Sequence, residues 1–250
     1  MTAFTPPDKH VRPRKWWPWI VGFGTAWGLI LALLAPITDP TPENYTLAVS
    51  VWFAGLYTLG LYATRRRWLP QFAGNPLRNA VILGAFNAAV IETEFLVFEK
   101  IFGAEGVAAH PNLLVDLIMT MPWYTLMVLT FVKVQHRWRF SAATVLFLGG
   151  VYELGGDGMV GAFMGVFWGN YQLFTLEYWL MMAIMFLWTF IPVYSSMVLP
   201  PAWLVATAAP PEQAVGAAWR AALKPMLWLI PFGVYLLAVM LIIVIVSGSG

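Results

Sequence analysis

The sequence has no cysteine and only three histidines, and charged side chains make up 10% of its 250 residues. The missing cysteine excludes disulfides, thiolate nucleophiles, zinc–thiolate centres and cysteine-ligated iron–sulfur clusters. His10 and His136 lie beside basic clusters, and His110 lies at the end of an apolar stretch. A bis-histidine haem, a His-rich iron or copper centre and a Ser–His–Asp triad therefore lack their histidines at depth. A retinal-type Schiff base lacks its lysine, because the last apolar stretch has only Lys224 at its start. No P-loop lysine accompanies the glycine runs. The reading is of a protein with no metal and no cofactor, with a carboxylate-only cation site as the one metal chemistry left open.

Apolar residues fill the space that charge leaves. Hydrophobic residues make up 60% and aromatics 16%, with 14 Trp, 9 Tyr and 17 Phe, and the mean hydropathy is +0.72. Those values belong to polytopic membrane proteins rather than soluble domains. About 20 apolar residues cross a ~30 Å hydrocarbon core, and that criterion predicts seven helices at about 17–38, 46–64, 79–102, 112–133, 140–166, 171–199 and 225–247. Asp39-Pro40-Thr41-Pro42, Asn75-Pro76, His110-Pro111, Trp168-Gly169-Asn170 and Pro200-Pro201 separate them. The predicted fold class is an all-α polytopic membrane bundle. The polar, Pro-containing residues before the first apolar run, and the length of that run, predict no cleavable signal peptide.

Thirteen of the fourteen Lys and Arg residues fall before or after these stretches on one face, leaving Lys100 on the other. The positive-inside rule then places the N-terminus in the cytoplasm and the C-terminus outside, as an odd number of spans requires. The organisation read from this is a cytoplasmic tail (1–16), two N-terminal spans (17–78), a four-helix core (79–199), a cytoplasmic loop (200–224) and a last span (225–250). A bacterial inner membrane, or its equivalent, is the expected location. Because the basic residues sit in short clusters beside spans, no nucleic-acid partner is inferred. The oligomeric state is not read from the sequence.

Seven of the twelve carboxylates, Glu92, Glu94, Glu99, Asp116, Glu153, Asp157 and Glu177, fall in or at the ends of these apolar stretches. An ionisable group there is expensive and marks a site by default. In the predicted orientation all seven occupy the outer half of the third to sixth helices. Glu92 is the deepest acid on its helix. Asn87 and Glu94 point away from the Glu92–Glu99 face by more than a quarter-turn, and Glu99 reads as a rim residue. Glu153 and Asp157, at i and i+4, stack on one face, so two adjacent carboxyls there predict that one keeps its proton as a general acid. Glycines surround that pair, at Gly149, Gly150, Gly155, Gly156, Gly158, Gly161 and Gly165, a pattern that serves either a kink at a site or a small-residue packing seam.

Many aromatics belong to interfacial belts, as Trp16, Trp17, Trp19, Trp68 and Trp138 do beside basic clusters. Trp123, Tyr124, Tyr152, Tyr178, Trp179 and Trp188 instead share helices with the acids. Carboxylic acids combined with aromatic faces suit protonation of an alkene followed by stabilisation of the carbocation. They also suit an apolar ligand site without chemistry.

Glu92-Thr-Glu-Phe95, Val115-Asp116 through Trp123, Arg137-Trp-Arg-Phe through Tyr152, and Glu177-Tyr-Trp179 through Pro192 together resemble the emopamil-binding protein family, the four-helix EXPERA unit of sterol isomerases and related lipid-binding membrane proteins. The resemblance implies that Glu92 and Asp116 shuttle a proton and that Trp188 is a cavity aromatic. Ala88 stands where that family has His, and Met185 where it has Asn. Ile91–Phe98 is also similar to the Pro-x-Glu-Glu-x-x-Phe-Phe motif of membrane lycopene cyclases, without its Pro.

The leading expectation is a membrane enzyme that protonates an alkene in a hydrophobic isoprenoid or sterol-like lipid, giving isomerisation, cyclisation or hydration. Glu92, Asp116, Glu153, Asp157 and Glu177 are its expected acids, and Asn87, Trp123, Tyr152, Trp179 and Trp188 its expected substrate contacts. Two alternatives stand beside it: a proton- or cation-coupled carrier, and a non-catalytic lipid- or pigment-binding subunit of a membrane complex.

Overall fold

The computed structural model describes residues 15–72, 74–167, 175–205 and 218–248. Most of the N-terminal tail, the Trp168-Gly169-Asn170 break and much of the 200–224 loop lie outside those residues. Within them every regular element is a helix, as the composition predicts. The long helices are α1 (Trp17–Thr38), α2 (Pro42–Trp68), α3 (Pro76–Phe102) and α4 (Leu113–Trp138). Next come α5 (Ala142–Glu153), a π turn over Leu154–Val160 and α6 (Gly161–Phe167). After these follow α7 (Leu176–Met181), a second π turn (Met182–Phe186), α8 (Leu187–Thr189), α9 (Ile191–Val205), α10 (Ala218–Ala222), a 3-10 turn (Lys224–Trp228) and α11 (Leu229–Gly248).

Helix starts follow local chemistry. Thr41, Asn75, Asn112, Ser141 and Thr175 each precede a helix, and their side-chain oxygens accept from backbone N–H groups of the first turn, satisfying donors that have no intrahelical partner. Pro42 and Pro76 follow Thr41 and Asn75 directly, where a missing N–H costs nothing. α3 ends on Gly103 in the left-handed region (φ 71°), which glycine adopts without strain.

Among the described residues, five helices are long and apolar enough to cross a membrane: Trp17–Thr38, Pro42–Phe72, Pro76–Phe102, Leu113–Trp138 and Lys224–Ile245. A sixth arises if Leu176–Thr189 and Ile191–Val205, bent by 53° at Phe190, count as one. The chain is thus an all-helical integral membrane protein. Its outward positions are themselves apolar, as Trp19, Phe23 and Ile37 of α1 and Ile230, Val234 and Leu241 of α11 show, the arrangement that lipid contact requires.

α9 stands at the centre, with every residue but Trp203 buried. The Pro200-Pro201 pair, expected to end the sixth helix, lies inside α9, which runs on to Val205. Proline at position i frees the carbonyl of i−4, and here neighbouring helices take up the loss. Asn87 Nδ2 of α3 donates to the freed Ser196 carbonyl at 3.0 Å. In α4, Pro122 frees the Ile118 carbonyl, and the Tyr235 hydroxyl of α11 donates to it at 2.6 Å.

Without a hydrophobic drive between helices in lipid, packing relies on small residues that let backbones approach. In α1 the buried positions are Val21, Gly24, Gly28 and Ala32, one stripe at spacings of three and four. A Cβ on Gly28 would collide with the Trp188 carbonyl of α8, and one on Gly24 with the Trp188 ring. Between α5 and α9, a Cβ on Gly149 would lie 2.8 Å from the Ser195 nitrogen.

The described basic residues other than Lys100 gather at one end of the bundle. Trp17 at the start of α1 packs on Trp219 and bonds Thr144 at the start of α5, while Tyr62 near the end of α2 packs on Trp203 near the end of α9. At the opposite end, Tyr45 stacks on Phe102 and the Glu105 N–H donates to Glu43 Oε1 at 3.5 Å.

Candidate functional site

A cavity of about 680 Å³ opens toward that opposite end. Glu43 and the loop residues Glu105 to Ala109 line its mouth. Its walls are apolar and rich in phenylalanine, with Phe95 from α3, Phe186 and Phe190 before α9, and Phe232, Leu236 and Met240 from α11. Glu92, Tyr124, Glu153 and Asp157 supply its polar surface. α11 is therefore a wall of the cavity, beyond the four-helix core that the sequence delimits.

The acids form two pairs. Glu92 of α3 receives a short hydrogen bond from the Tyr124 hydroxyl of α4 and is set against the Asp116 carboxyl. Asp116 Oδ1 accepts from the His110 N–H at 3.1 Å, and the residue has no exposed surface. Glu153, at the end of α5, is set against Asp157 in the π turn. Asp116 Oδ2 and Glu153 Oε2 find no donor when every carboxyl is ionised. A neighbouring carboxyl becomes their partner once one member of the pair carries a proton. Asp157 sits among the helices yet retains accessible surface, and since it lines the cavity, that surface faces the cavity.

The π turn explains how Asp157 reaches this position. A π turn adds a residue to a helical turn and recurs at functional sites. Gly155, Gly156 and Gly158 within it are buried. A Cβ on Gly156 would collide with the Tyr194 hydroxyl and lie 2.7 Å from Trp123 Nε1. The glycine cluster thus serves both as a packing seam, at Gly149 and Gly150, and as a passage at the site, at Gly156. Trp123 Nε1 donates to the Tyr194 hydroxyl at 2.8 Å, and Tyr194 packs edge-on against Tyr124 with ring centroids 5.4 Å apart.

The structure brings together Glu92, Asp116, Glu153 and Asp157, with Trp123 beside them through Tyr194. It does not bring in the remaining expected contacts. Asn87 accepts from the Tyr57 hydroxyl at 2.8 Å and donates to Ser196, so its polar groups serve the backbone that Pro200 disrupts. The Tyr152 hydroxyl donates to the Ala222 carbonyl at 2.6 Å, at the end of α10. That carbonyl is open because Met226 N–H turns to Leu223 instead. Trp188 is wedged between Gly24 of α1 and Phe147 of α5. Glu177 and Trp179 are exposed in α7, a helix with no buried residue. Glu99 accepts from Val107 and Ala108 N–H at 2.9 and 2.7 Å and so shapes the loop at the cavity mouth. Glu94 is buried on the α2 side near Ser50, away from Glu92, as its place on the opposite helix face predicts.

Two residues enter that the acid pattern does not single out. Tyr124 is the direct partner of Glu92 and follows Trp123 in sequence. Tyr194 lies in the sixth apolar stretch, far from any acid, and nothing in its neighbourhood marks it. The Phe walls carry no signal either, since each of the seven apolar stretches contains at least one Phe.

Fold and site together define an all-helical membrane protein with a buried carboxyl–tyrosine cluster at the floor of an apolar cavity. No family model, no curated protein and no solved structure matches the chain. Among the described residues, no three His, Asp or Glu side chains converge as ligands for a metal ion.

Proposed function

We propose that the protein is a membrane-embedded acid catalyst that protonates an alkene in a hydrophobic isoprenoid or sterol-like lipid, leading to isomerisation, cyclisation or hydration. The observation that carries this reading is the pairing of carboxyls, one pair on each side of Tyr124 and Tyr194, beneath walls of phenylalanine. A proton delivered to an alkene carbon leaves positive charge on its neighbour, and aromatic faces stabilise such a charge by about 0.5–2 kcal/mol each. The apolar walls restrict water around the cation, and how far water is admitted decides between loss of a proton and hydration. A cavity of about 680 Å³ suits one drug-sized ligand, which points to a compact lipid rather than a whole phospholipid.

Glu92 is the acid, held by Tyr124 and backed by Asp116. Phe95, Phe190, Phe232 and the Tyr124 ring are the cation-facing walls. The resemblance to the EXPERA unit supports the same substrate class, and its acidic positions fall on Glu92 and Asp116. In the proposed orientation the mouth faces away from the cytoplasm.

The test is to extract and identify lipids bound to the purified protein, supply them to it in deuterated buffer and follow deuterium uptake by mass spectrometry. Uptake at an alkene carbon, lost in Glu92→Gln, is the expected result. If every single carboxylate-to-amide variant converts lipid like the parent, the proposal fails.

A further inference from the structure

Tyr194 belongs to the central helix, does not line the cavity and is given no chemical role in the scheme above, yet it sits between the two carboxyl pairs. An indole N–H only donates, whereas a phenol both donates one hydrogen and accepts. Because Trp123 Nε1 donates to the Tyr194 oxygen at 2.8 Å, the Tyr194 hydrogen is free to point elsewhere. The acid pair at Glu153 and Asp157 lies on that side, since Gly156, the residue before Asp157, is the one whose missing Cβ leaves room for the hydroxyl. Both acids line the cavity, but Asp157 carries the exposed surface, while Glu153 is almost fully buried.

We propose that Tyr194, polarised by Trp123, is a positioning residue that donates to Asp157 and so makes Asp157 the proton-accepting member of its pair, with Glu153 as the proton-holding member. Rotation of the hydroxyl is restricted because its lone-pair side is already occupied. The aspartate then receives from Tyr194 and from Glu153 and keeps a lone pair toward the cavity.

This rests on the reading that the cavity acids exchange protons with a lipid. In that reading the step is balanced. Glu92 gives a proton to one alkene carbon, and a C–H bond forms there with the π electrons. A neighbouring carbon of the resulting cation loses a proton to Asp157, and the electrons of that C–H bond become the new double bond. No oxidant, reductant or water is consumed, and the proton returns from Asp157 to Glu92 between turnovers.

The test is infrared difference spectroscopy of the full-length protein in lipid nanodiscs, following the C=O stretch of protonated carboxyls with hydrogen–deuterium exchange. In the parent, Asp157→Asn is expected to shift the band of its partner Glu153 without deleting a protonated-carboxyl band. Tyr194→Phe keeps the ring and removes the donor, and is expected to add a protonated-carboxyl band that disappears in Tyr194→Phe/Asp157→Asn. Trp123→Phe is expected to produce the same added band more weakly. Deletion of a protonated-carboxyl band by Asp157→Asn alone overturns the proposal. So does an unchanged carbonyl region in a folded Tyr194→Phe. If Tyr194→Phe does not fold, Asp157→Asn in the parent still decides. No substrate enters this measurement, so a protein with the expected bands and no lipid conversion overturns the proposed function alone. One with lipid conversion and the wrong bands overturns only the role of Tyr194.

Discussion

Polar side chains inside an apolar bundle do two separate jobs in this protein, and single substitutions tell them apart. Asn87 serves the backbone: it repairs the Ser196 carbonyl that Pro200 leaves without a donor and holds the Tyr57 hydroxyl. Asn87→Leu leaves the buried Ser196 carbonyl and the half-buried Tyr57 hydroxyl unpaired, and each unsatisfied buried group costs about 1–3 kcal/mol. Tyr57→Phe leaves only one such group, the buried Asn87 Oδ1, and is expected to cost about 1–3 kcal/mol, less than Asn87→Leu. Chemical unfolding of the purified protein orders the two. Lipid conversion per folded molecule should be unchanged in both, because neither residue lines the cavity. Glu92 is the opposite case. Glu92→Gln keeps the volume and the Tyr124 partner, so folding should survive while deuterium uptake falls to background. Glu177→Gln, on the exposed face of α7, is expected to leave both stability and turnover as they were, so any loss of turnover there would require the site to be redrawn.

Helices meet in this bundle wherever glycine removes a side chain, and the same residue type is inert where nothing approaches it. A Cβ on Gly28 would strike the Trp188 carbonyl, and backbone cannot swing aside as a flexible side chain can. Gly28→Ala is therefore expected to cost about 1–3 kcal/mol, the usual penalty of overpacking. Nothing lies within 4 Å of the corresponding position at Gly60 of α2. Gly60→Ala should gain about 0.5–1 kcal/mol from the lower entropy of the unfolded helix segment. Thermal unfolding that moves in opposite directions for the two variants is the expected result.

Which elements the sequence makes legible follows from the same contrast. Helix starts at Thr41, Asn75, Asn112 and Ser141 are local events and can be read from neighbouring residues. The nearness of Glu153 and Asp157 is likewise suggested by their spacing, although a π turn after Glu153, and not a regular α-helical turn, carries Asp157. Pro200-Pro201 misleads, because whether a proline ends a helix depends on a donor from another chain segment, here Asn87. Asn87 and Tyr152 mislead for the converse reason: a polar group at depth announces that it has a partner, without saying whether the partner is a ligand or a stranded carbonyl. Trp188 matches an expected cavity aromatic by motif but turns toward Gly24, which only the packing of α1 decides. Tyr194 is invisible because its neighbours in the chain are unremarkable and its partners come from α4 and the π turn.

At the scale of the molecule, the number of crossings decides whether the termini lie on the same side or on opposite sides. The described helices supply five candidate spans, and six if the bent pair counts as one. The remaining candidate is Ala142–Phe167, helical throughout but divided by its π turn. At ~1.5 Å per residue it is long enough to cross a ~30 Å core. With it the count is seven, and the termini lie on opposite sides; without it they lie on the same side. Seven also keeps Arg220 and Lys224 on the same face as the arginine clusters at 65–67 and 137–139, as the positive-inside rule requires. The absence of native cysteine makes the test direct, since any thiol label reports an introduced site. Gly106→Cys, at the exposed cavity mouth, should react with a membrane-impermeant maleimide on intact cells. Arg66→Cys, at the basic end, should react only after the membrane is opened. Tags fused before Met1 and after Gly250 should be reached by protease from opposite sides. Labelling of Gly106→Cys only from inside would turn the cavity toward the cytoplasm, and tags on the same side would mean that the Asp157 helix enters the bilayer without crossing it.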